Sequence, residues 1–318
     1  MIVVAVLRGG PSDEHASSIH SGAEILKSLA REQYRAIDIY VDKQGVWHVR
    51  GAPTTPDRAL MHVDVVVNAL TGSYGGGTVQ RLLELHGIPY TGSGVYASAL
   101  SQNKLLTKQI LSNHGIKMPQ HIVLTVSPEL EEEARKAFRA FSPPVIVKPA
   151  RSGSSLGVTL TKTFDEFWEG IKKAFTLGTE VMVEEFIPGR EATAGVIEGL
   201  RSSPYYQLIP VEVHVPTWGI YDEATKRDDL ADMSAPGNFS KEESAELQRL
   251  AKAVHEELGL RHYSRSDFVV SPRGIYFLES NAQPSFASNQ ALRKSLSAVG
   301  VSTDELIDHM IELALTRR

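Results

Sequence analysis

The chain has 318 residues, 42% of them hydrophobic and 22% charged, with a formal net charge of −5 and no cysteine. At roughly 100–200 residues per domain, this length gives two or three domains with sizeable cores. The composition excludes a disulfide framework, thiolate catalysis and cysteine-ligated zinc, and the acidic balance favours neither nucleic acid nor an anionic membrane as partner.

The apolar run at 2–7 is followed at once by Arg8-Gly9-Gly10. It reads as a buried parallel strand ending in a glycine turn, and it lacks the basic segment that precedes a signal-peptide core. No apolar run approaches the ~20 residues of a membrane span, so the expectation is a cytoplasmic protein. Strand-like runs at 36–41, 63–69 and 88–90 alternate with helical patterns at 17–31 and 78–86. That alternation predicts a parallel α/β domain over residues 1–95. Residues 96–187 form a second segment. A helix near 97–113 ends at Asn113-His114-Gly115, and short strands follow at 120–125 and 144–148. Thr163 with Glu166 is a capping box opening a helix with Phe167, Ile171, Ala174 and Phe175 inward, and a strand at 181–187 closes the segment. In the third segment, 188–318, Ser240 with Glu243 and Ser302 with Glu305 mark two helix starts. A polar loop spans 216–239, and a hairpin lies between the two helices.

That hairpin carries the strongest local signal. With Pro272-Arg273-Gly274 as the loop and Ser271 opposite Ile275, Asp267 falls opposite Glu279 and Arg265 opposite Asn281. Strand alternation puts these four on one face and Phe268, Val270 and Leu278 on the other. Carboxylate and amide oxygens suit Mg²⁺, which keeps open positions for phosphate. A solvated strand face carrying an Arg–carboxylate pair fits the same pattern. After Lys148-Pro149, the segment Gly153-Ser154-Ser155-Leu156-Gly157 offers backbone N–H groups and hydroxyls to phosphate oxygens, or is a flexible surface loop. Neither a Walker A spacing nor a G-x-G-x-x-G turn is present. Glu184 and Glu185 at a strand end suit an adenine amino group or ribose hydroxyls, or a solvated edge. Lys104 and Lys108 are unremarkable by themselves.

Taken in order, these pieces resemble the D-alanine–D-alanine ligase family of the ATP-grasp superfamily. The resemblance runs over nearly the whole chain, through Arg8-Gly9-Gly10-Pro11-Ser12-Asp13-Glu14-His15, Asn68-Ala69-Leu70, Tyr90-Thr91-Gly92-Ser93-Gly94 and Asn103-Lys104. It continues through Val147-Lys148-Pro149, the 153–157 loop, Glu184-Glu185-Phe186, Arg265-Ser266-Asp267 and Leu278-Glu279-Ser280-Asn281. It implies a two-lobed ATP-grasp fold over 96–187 and 188–318, ATP, two Mg²⁺ ions (with Mn²⁺ as a substitute), amino-acid substrates and a homodimer. The implied reaction makes a dipeptide for cell-wall precursors through an acyl phosphate. By this resemblance Lys104 and Lys148 contact the ATP phosphates, with Ser155 in the phosphate loop and Lys226 reaching in from the 216–239 loop. Glu184 meets the adenine, Phe186 and Ile187 flank it, and Glu191 holds the ribose. Asp267, Glu279 and Asn281 ligate the metals. Glu14 takes the ammonium of the first amino acid, and Ser154 joins a polar network beside it. Arg265 and the Ser285 backbone sit at the oxyanion.

The departures from the family converge on the amino-acid side. Thr71-Gly72 stands for His-Gly, Gly75-Gly76-Gly77 for Gly-Glu-Asp-Gly, and Ala16-Ser17-Ser18 for Glu-Val-Ser. Arg227 stands for a network tyrosine, Ser285-Phe286 follows Pro284 in place of Gly-Met/Leu, and Gln290 replaces a serine that binds the second substrate's carboxylate. The leading expectation is the family's own reaction. The alternative keeps the ATP and Mg²⁺ machinery but takes another acceptor: a different D-amino acid, a hydroxy acid, a capped amine or an internal nucleophile. A third reading, a catalytically inactive ATP-binding protein, leaves the retained Asp267, Glu279, Asn281, Lys104 and Lys148 without a purpose.

Overall fold

The computed structural model describes residues 1–151, 153, 155–214, 232–287 and 290–316. Strand β1 (Ile2–Gly9) has Val4, Ala5, Val6 and Leu7 fully buried. A strand apolar on both faces needs cover on both, and β1 pairs in parallel with β2 (Tyr34–Val41) and β5 (Val65–Asn68). Helices α1 (His15–Ser28), α2 (Pro56–Ala59) and α3 (Val79–Leu85) supply the intervening connections and cover. β3 (Trp47–Val49) and β4 (Ala52–Thr54) add an antiparallel edge, giving the order β4-β3-β2-β1-β5. The sequence pattern does not reveal that edge hairpin. The expected strand at 88–90 is only a bridge between Val66 and Tyr90.

The expected helix near 97–113 is two helices, α4 (Val95–Gln102) and α5 (Lys104–Ser112). Asn103 breaks the run with extended backbone, and its side chain accepts from Leu106 N at 3.1 Å, capping α5. The freed Lys104 N–H donates to Ala150 O at 3.1 Å. The break therefore seats Lys104 over the end of β7 (Val145–Pro149).

β7 belongs to an antiparallel sheet ordered β6-β9-β7-β8, with β6 (His121–Thr125), β8 (Thr159–Thr161) and β9 (Glu180–Glu185). Helices α6 (Leu130–Ala140) and α7 (Phe164–Phe175) pack on it, with Phe167, Ile171 and Ala174 against Val145, Val147 and Val183. The Thr163–Glu166 capping box is present.

The third sheet runs β13-β12-β10-β14-β15, with β11 (Tyr205–Gln207) on β10 (Arg190–Glu198). Its other strands are β12 (Val211–His214), β13 (Asp232–Ser234), β14 (Tyr263–Ser271) and β15 (Gly274–Asn281). Helix α8 (Lys241–Glu257) starts at the Ser240–Glu243 capping box and buries Leu247, Leu250 and Val254. After α9 (Ala291–Ala298), helix α10 (Thr303–Thr316) returns to the first sheet. There Leu306, Ile307, Met310 and Ile311 share a core with Val4, Val6, Val65 and Val67. No helix among the described residues is long and apolar enough to cross a membrane.

Candidate active site

Asp267 pairs with Glu279 and Arg265 with Asn281, as the sequence pattern predicts, but the ladder reaches that register by another route. The loop is two residues, with Ser271 opposite Gly274, and the extra residue is taken up by an irregularity between Asp267 and Phe268. Such a bulge re-aims side chains beside it. Leu278 is the residue it displaces. It leaves the Phe268 and Val270 face and packs with Ile187, Val269 and Tyr276.

This hairpin forms one wall of a cleft whose other wall is the β6–β9 sheet. Ile146, Lys148, Ser155, Glu184, Phe186, Ile187, Glu191, Arg265, Asp267, Leu278 and Glu279 all line it. Ile146, Phe186, Ile187, Val269 and Leu278 make an apolar slot that a flat base suits, and Glu184 lies beside it. Glu184 is 2% exposed and sits at a register position between His121 and Ile146. Its Oε2 is 2.7 Å from Lys148 Nζ and its Oε1 is 2.5 Å from Lys108 Nζ. Burial alone would raise the carboxyl pKa. The Lys148 and Lys108 ammoniums outweigh it and hold Glu184 down to about 2. Burial in turn pulls the Lys108 pKa down, against the attraction of Glu184.

Lys108 is a buried charge on Glu184 that the sequence pattern does not single out. The signal was there in the spacing. Lys104, Thr107, Lys108 and Leu111 make an i, i+3, i+4, i+7 stripe, and this stripe is the buried face of α5, while Leu106 is 47% exposed. Lysines inside and a leucine outside mark a helix that turns charge toward a site. Lys104 lies 3.1 Å from Glu279 Oε2, and Arg265 Nη2 lies 2.9 Å from Asp267 Oδ2. Asn281 Oδ1 accepts from Gln283 N at 2.9 Å. Two carboxylates and an amide oxygen on adjacent strands are a donor set that fits Mg²⁺ with phosphate and water completing its shell. Among the described residues no group of three or more His, Cys, Asp or Glu is placed to hold a metal by itself.

Glu14 is elsewhere. It lines a second cavity of ≈ 680 Å³ with Ser12, Gly72, Gln102, Arg151 and Gly153. A Cβ on Gly153 would lie 2.3 Å from Glu14 Oε1, so the backbone at Gly153 lies directly against this carboxylate. Gln102 donates to Gly72 O and covers Gly76, where a Cβ would lie 2.1 Å from its Oε1. Ser285 Oγ is 2.8 Å from Ser21 Oγ in α1, and Arg293 Nη1 is 2.6 Å from Glu24 Oε2. Neither Ser285 nor Gln290 lines the cleft, although Ala291, which follows Gln290, does. Ser154, Lys226 and Arg227 lie outside the described residues.

The D-ala D-ala ligase C-terminus family profile matches residues 110–312, and the N-terminus profile matches residues 3–58. A D-alanine–D-alanine ligase of Syntrophotalea carbinolica is 35% identical, over 99% of this chain and 97% of its own length. The vancomycin/teicoplanin A-type resistance protein VanA of Enterococcus faecium is 31% identical, over 99% of this chain and 98% of its own length. The solved D-alanyl-alanine synthetase A from Vibrio cholerae superposes with a TM-score of 0.85 at 27% identity, covering 99% of both chains. The VanG D-Ala:D-Ser ligase of Enterococcus faecalis gives 0.84 at 26%, covering 98% of this chain and 99% of its own. The chain belongs to the D-alanine–D-alanine ligase family, an ATP-grasp family.

Proposed function

We propose that this chain joins D-alanine to D-alanine at the expense of ATP, through an acyl phosphate, to supply a dipeptide for cell-wall precursors. The observation that carries the reading is the facing pair Asp267 and Glu279, in one cleft with Lys148, Glu184 and an apolar slot. A carboxylate is a poor electrophile, and phosphorylation gives it a leaving group. Lys148 and Lys104 meet the charge of the transferring phosphoryl group from two sides. Asp267, Glu279 and Asn281 would hold a divalent metal, which would supply charge neutralisation at the phosphates. Two Mg²⁺ ions, with Mn²⁺ able to replace them, match this donor set. Glu184, kept ionised by its two lysines, accepts from the adenine amino group, and Glu191 takes the ribose. Glu14 binds the ammonium of the first amino acid, with Ser154 near it. Arg265 stabilises the oxyanion when the amine attacks. An acyl phosphate hydrolyses in water, so we read the 151–157 and 216–239 loops as its cover, with Lys226 of the second assigned to a phosphate. We assign the three segments 1–95, 96–187 and 188–318 to a pre-ATP-grasp domain and two ATP-grasp lobes, acting in the cytoplasm as a homodimer.

A second reading changes only the acceptor. Ser285 turned to Ser21 and Arg293 engaged by Glu24 leave the acceptor side built differently from the family pattern. One structural neighbour, VanG of Enterococcus faecalis, is a D-Ala:D-Ser ligase. ADP release from purified enzyme with D-alanine alone, then with D-serine, D-lactate and simple amines beside it, tests both, with products identified by mass. D-Alanyl-D-alanine from D-alanine alone supports the first reading. ADP release that requires another acceptor replaces it with the second, and no substrate-stimulated ADP release refutes both.

A further inference from the structure

We propose that Lys104 and Arg265 are resident counterions of the metal-binding carboxylates, so that a divalent cation enters this site only together with nucleotide phosphates. The inference rests on the reading of Asp267 and Glu279 as metal ligands. Each of these carboxylates carries its own cation: Lys104 Nζ is 3.1 Å from Glu279 Oε2, and Arg265 Nη2 is 2.9 Å from Asp267 Oδ2. The cations are the more buried partners, Lys104 at 6% against 23% for Glu279 and Arg265 at 12% against 21% for Asp267. They are also anchored from behind. The Lys104 N–H is fixed to Ala150 O, and the preceding Asn103 caps its helix. Arg265 lies within the continuous β14 ladder.

A metal ion arriving alone therefore meets two positive charges at contact distance and two carboxylates already neutralised by them. Like charges this close, in a partly desolvated cleft, weaken binding substantially. Phosphate oxygens reverse the balance. An ammonium on a flexible stem moves readily to a new acceptor, whereas a guanidinium keeps a fixed fork. Lys104 is then the group that transfers from Glu279 to phosphate, freeing the carboxylate. Lys148 is differently placed, because its partner is Glu184 rather than a metal-binding residue. Metal and nucleotide affinities become coupled, and by linkage the coupling is reciprocal.

The test is Mn²⁺ binding to the full chain, read by electron paramagnetic resonance of free Mn²⁺, with and without a non-hydrolysable ATP analogue. Lys104→Met and Lys104→Gln are compared with wild type and with Lys172→Met, at an exposed lysine of α7 away from the cleft, each checked for a native circular dichroism spectrum. Removing one unit charge from the site is expected to tighten nucleotide-free Mn²⁺ binding about tenfold in both Lys104 variants. The nucleotide's enhancement of Mn²⁺ affinity should shrink accordingly. Lys172→Met should leave nucleotide-free binding unchanged. Normal nucleotide-dependent binding with no gain in either Lys104 variant overturns the counterion inference alone. Absence of Mn²⁺ binding even with the analogue overturns the metal-site reading as well.

Discussion

The ammonium of Lys108 lies 2.5 Å from Oε1 of Glu184, and that of Lys148 lies 2.7 Å from Oε2 of the same carboxylate. All three groups are taken out of water together, at 2%, 6% and 2% exposure for Lys108, Lys148 and Glu184. Loss of Lys108 leaves the Glu184–Lys148 pair in place, but it leaves Glu184 Oε1 buried without its lysine donor. Lys108→Met is therefore expected to cost about 2 kcal/mol of stability, measured by urea denaturation. Because Glu184 borders the base slot, the same variant should raise KM for ATP more than it lowers kcat. Unchanged stability would show that the pair is not the buried charge cluster described here.

The pH dependence of that cluster has a definite sign. Lys148 and Lys108 overcome the effect of burial and hold the Glu184 pKa down to about 2, below the ordinary value of 4.5. A carboxyl group depressed in the folded state contributes stability that is complete above its unfolded pKa and is lost as pH falls through the folded one. The stability difference between wild type and Glu184→Gln should then stay constant from neutral pH to about 5. It should shrink as the pH falls from 4.5 toward 2. Denaturant midpoints across acid pH check this, and a difference that widens on acidification contradicts it.

Leu278 owes its position to the irregularity in the β14–β15 ladder. It packs with Ile187, Val269 and Tyr276 in a small cluster and lines the cleft. Leu278→Ala removes apolar surface from the base slot without touching Glu279 or Lys104. It is expected to cost about 2 kcal/mol of stability, because the side chain is only partly buried. Steady-state kinetics should show a several-fold higher KM for ATP with kcat largely kept. A loss confined to kcat would place Leu278 outside the slot.

The returning helix α10 is tied to the first sheet by one acid. Asp308 accepts from Arg31 through Nη1 and Nη2, both at 2.7 Å, and from the Tyr34 hydroxyl at 2.6 Å. The pair is about one-third exposed, at 31% for Arg31 and 35% for Asp308, so its worth is limited by solvent screening. Asp308→Ala should lower stability by about 1 kcal/mol and speed amide exchange in α10 while leaving kcat unchanged. Exchange rates in α10 equal to wild type would mean that the apolar contacts of Met310 and Ile311, with the Ser28–Asp304 hydrogen bond, dock the helix without it.

What the sequence made legible was mostly local or strictly periodic. All three capping boxes, Thr163–Glu166, Ser240–Glu243 and Ser302–Glu305, form as read, because the hydrogen bonds involved span only three residues. Asp267 opposite Glu279 was readable from alternation, yet the two-residue loop and the bulge were not, since two compensating one-residue errors leave the distal register unchanged. The break at Asn103 escaped notice because flanking residues on both sides favour helix, and only the tertiary contact from Lys104 N to Ala150 O rewards interrupting it. Lys108 was missed for the opposite reason. Its stripe was visible, but a lysine stripe ordinarily points to water, and the Glu184 that draws it inward is remote in sequence. The residues that line the cleft were legible through their ordered motifs, whereas Thr71, Ser285 and Gln290 match no family pattern.

The central claim is that a carboxylate is activated by phosphorylation in the Asp267–Glu279 cleft before an amine attacks it. The direct measurement uses D-alanine labelled with ¹⁸O in its carboxylate, ATP and Mg²⁺, with mass analysis of the inorganic phosphate released. The account predicts that each phosphate carries one labelled oxygen, at a rate matching dipeptide formation, and that Glu279→Gln abolishes both. Dipeptide formation with unlabelled phosphate would contradict it.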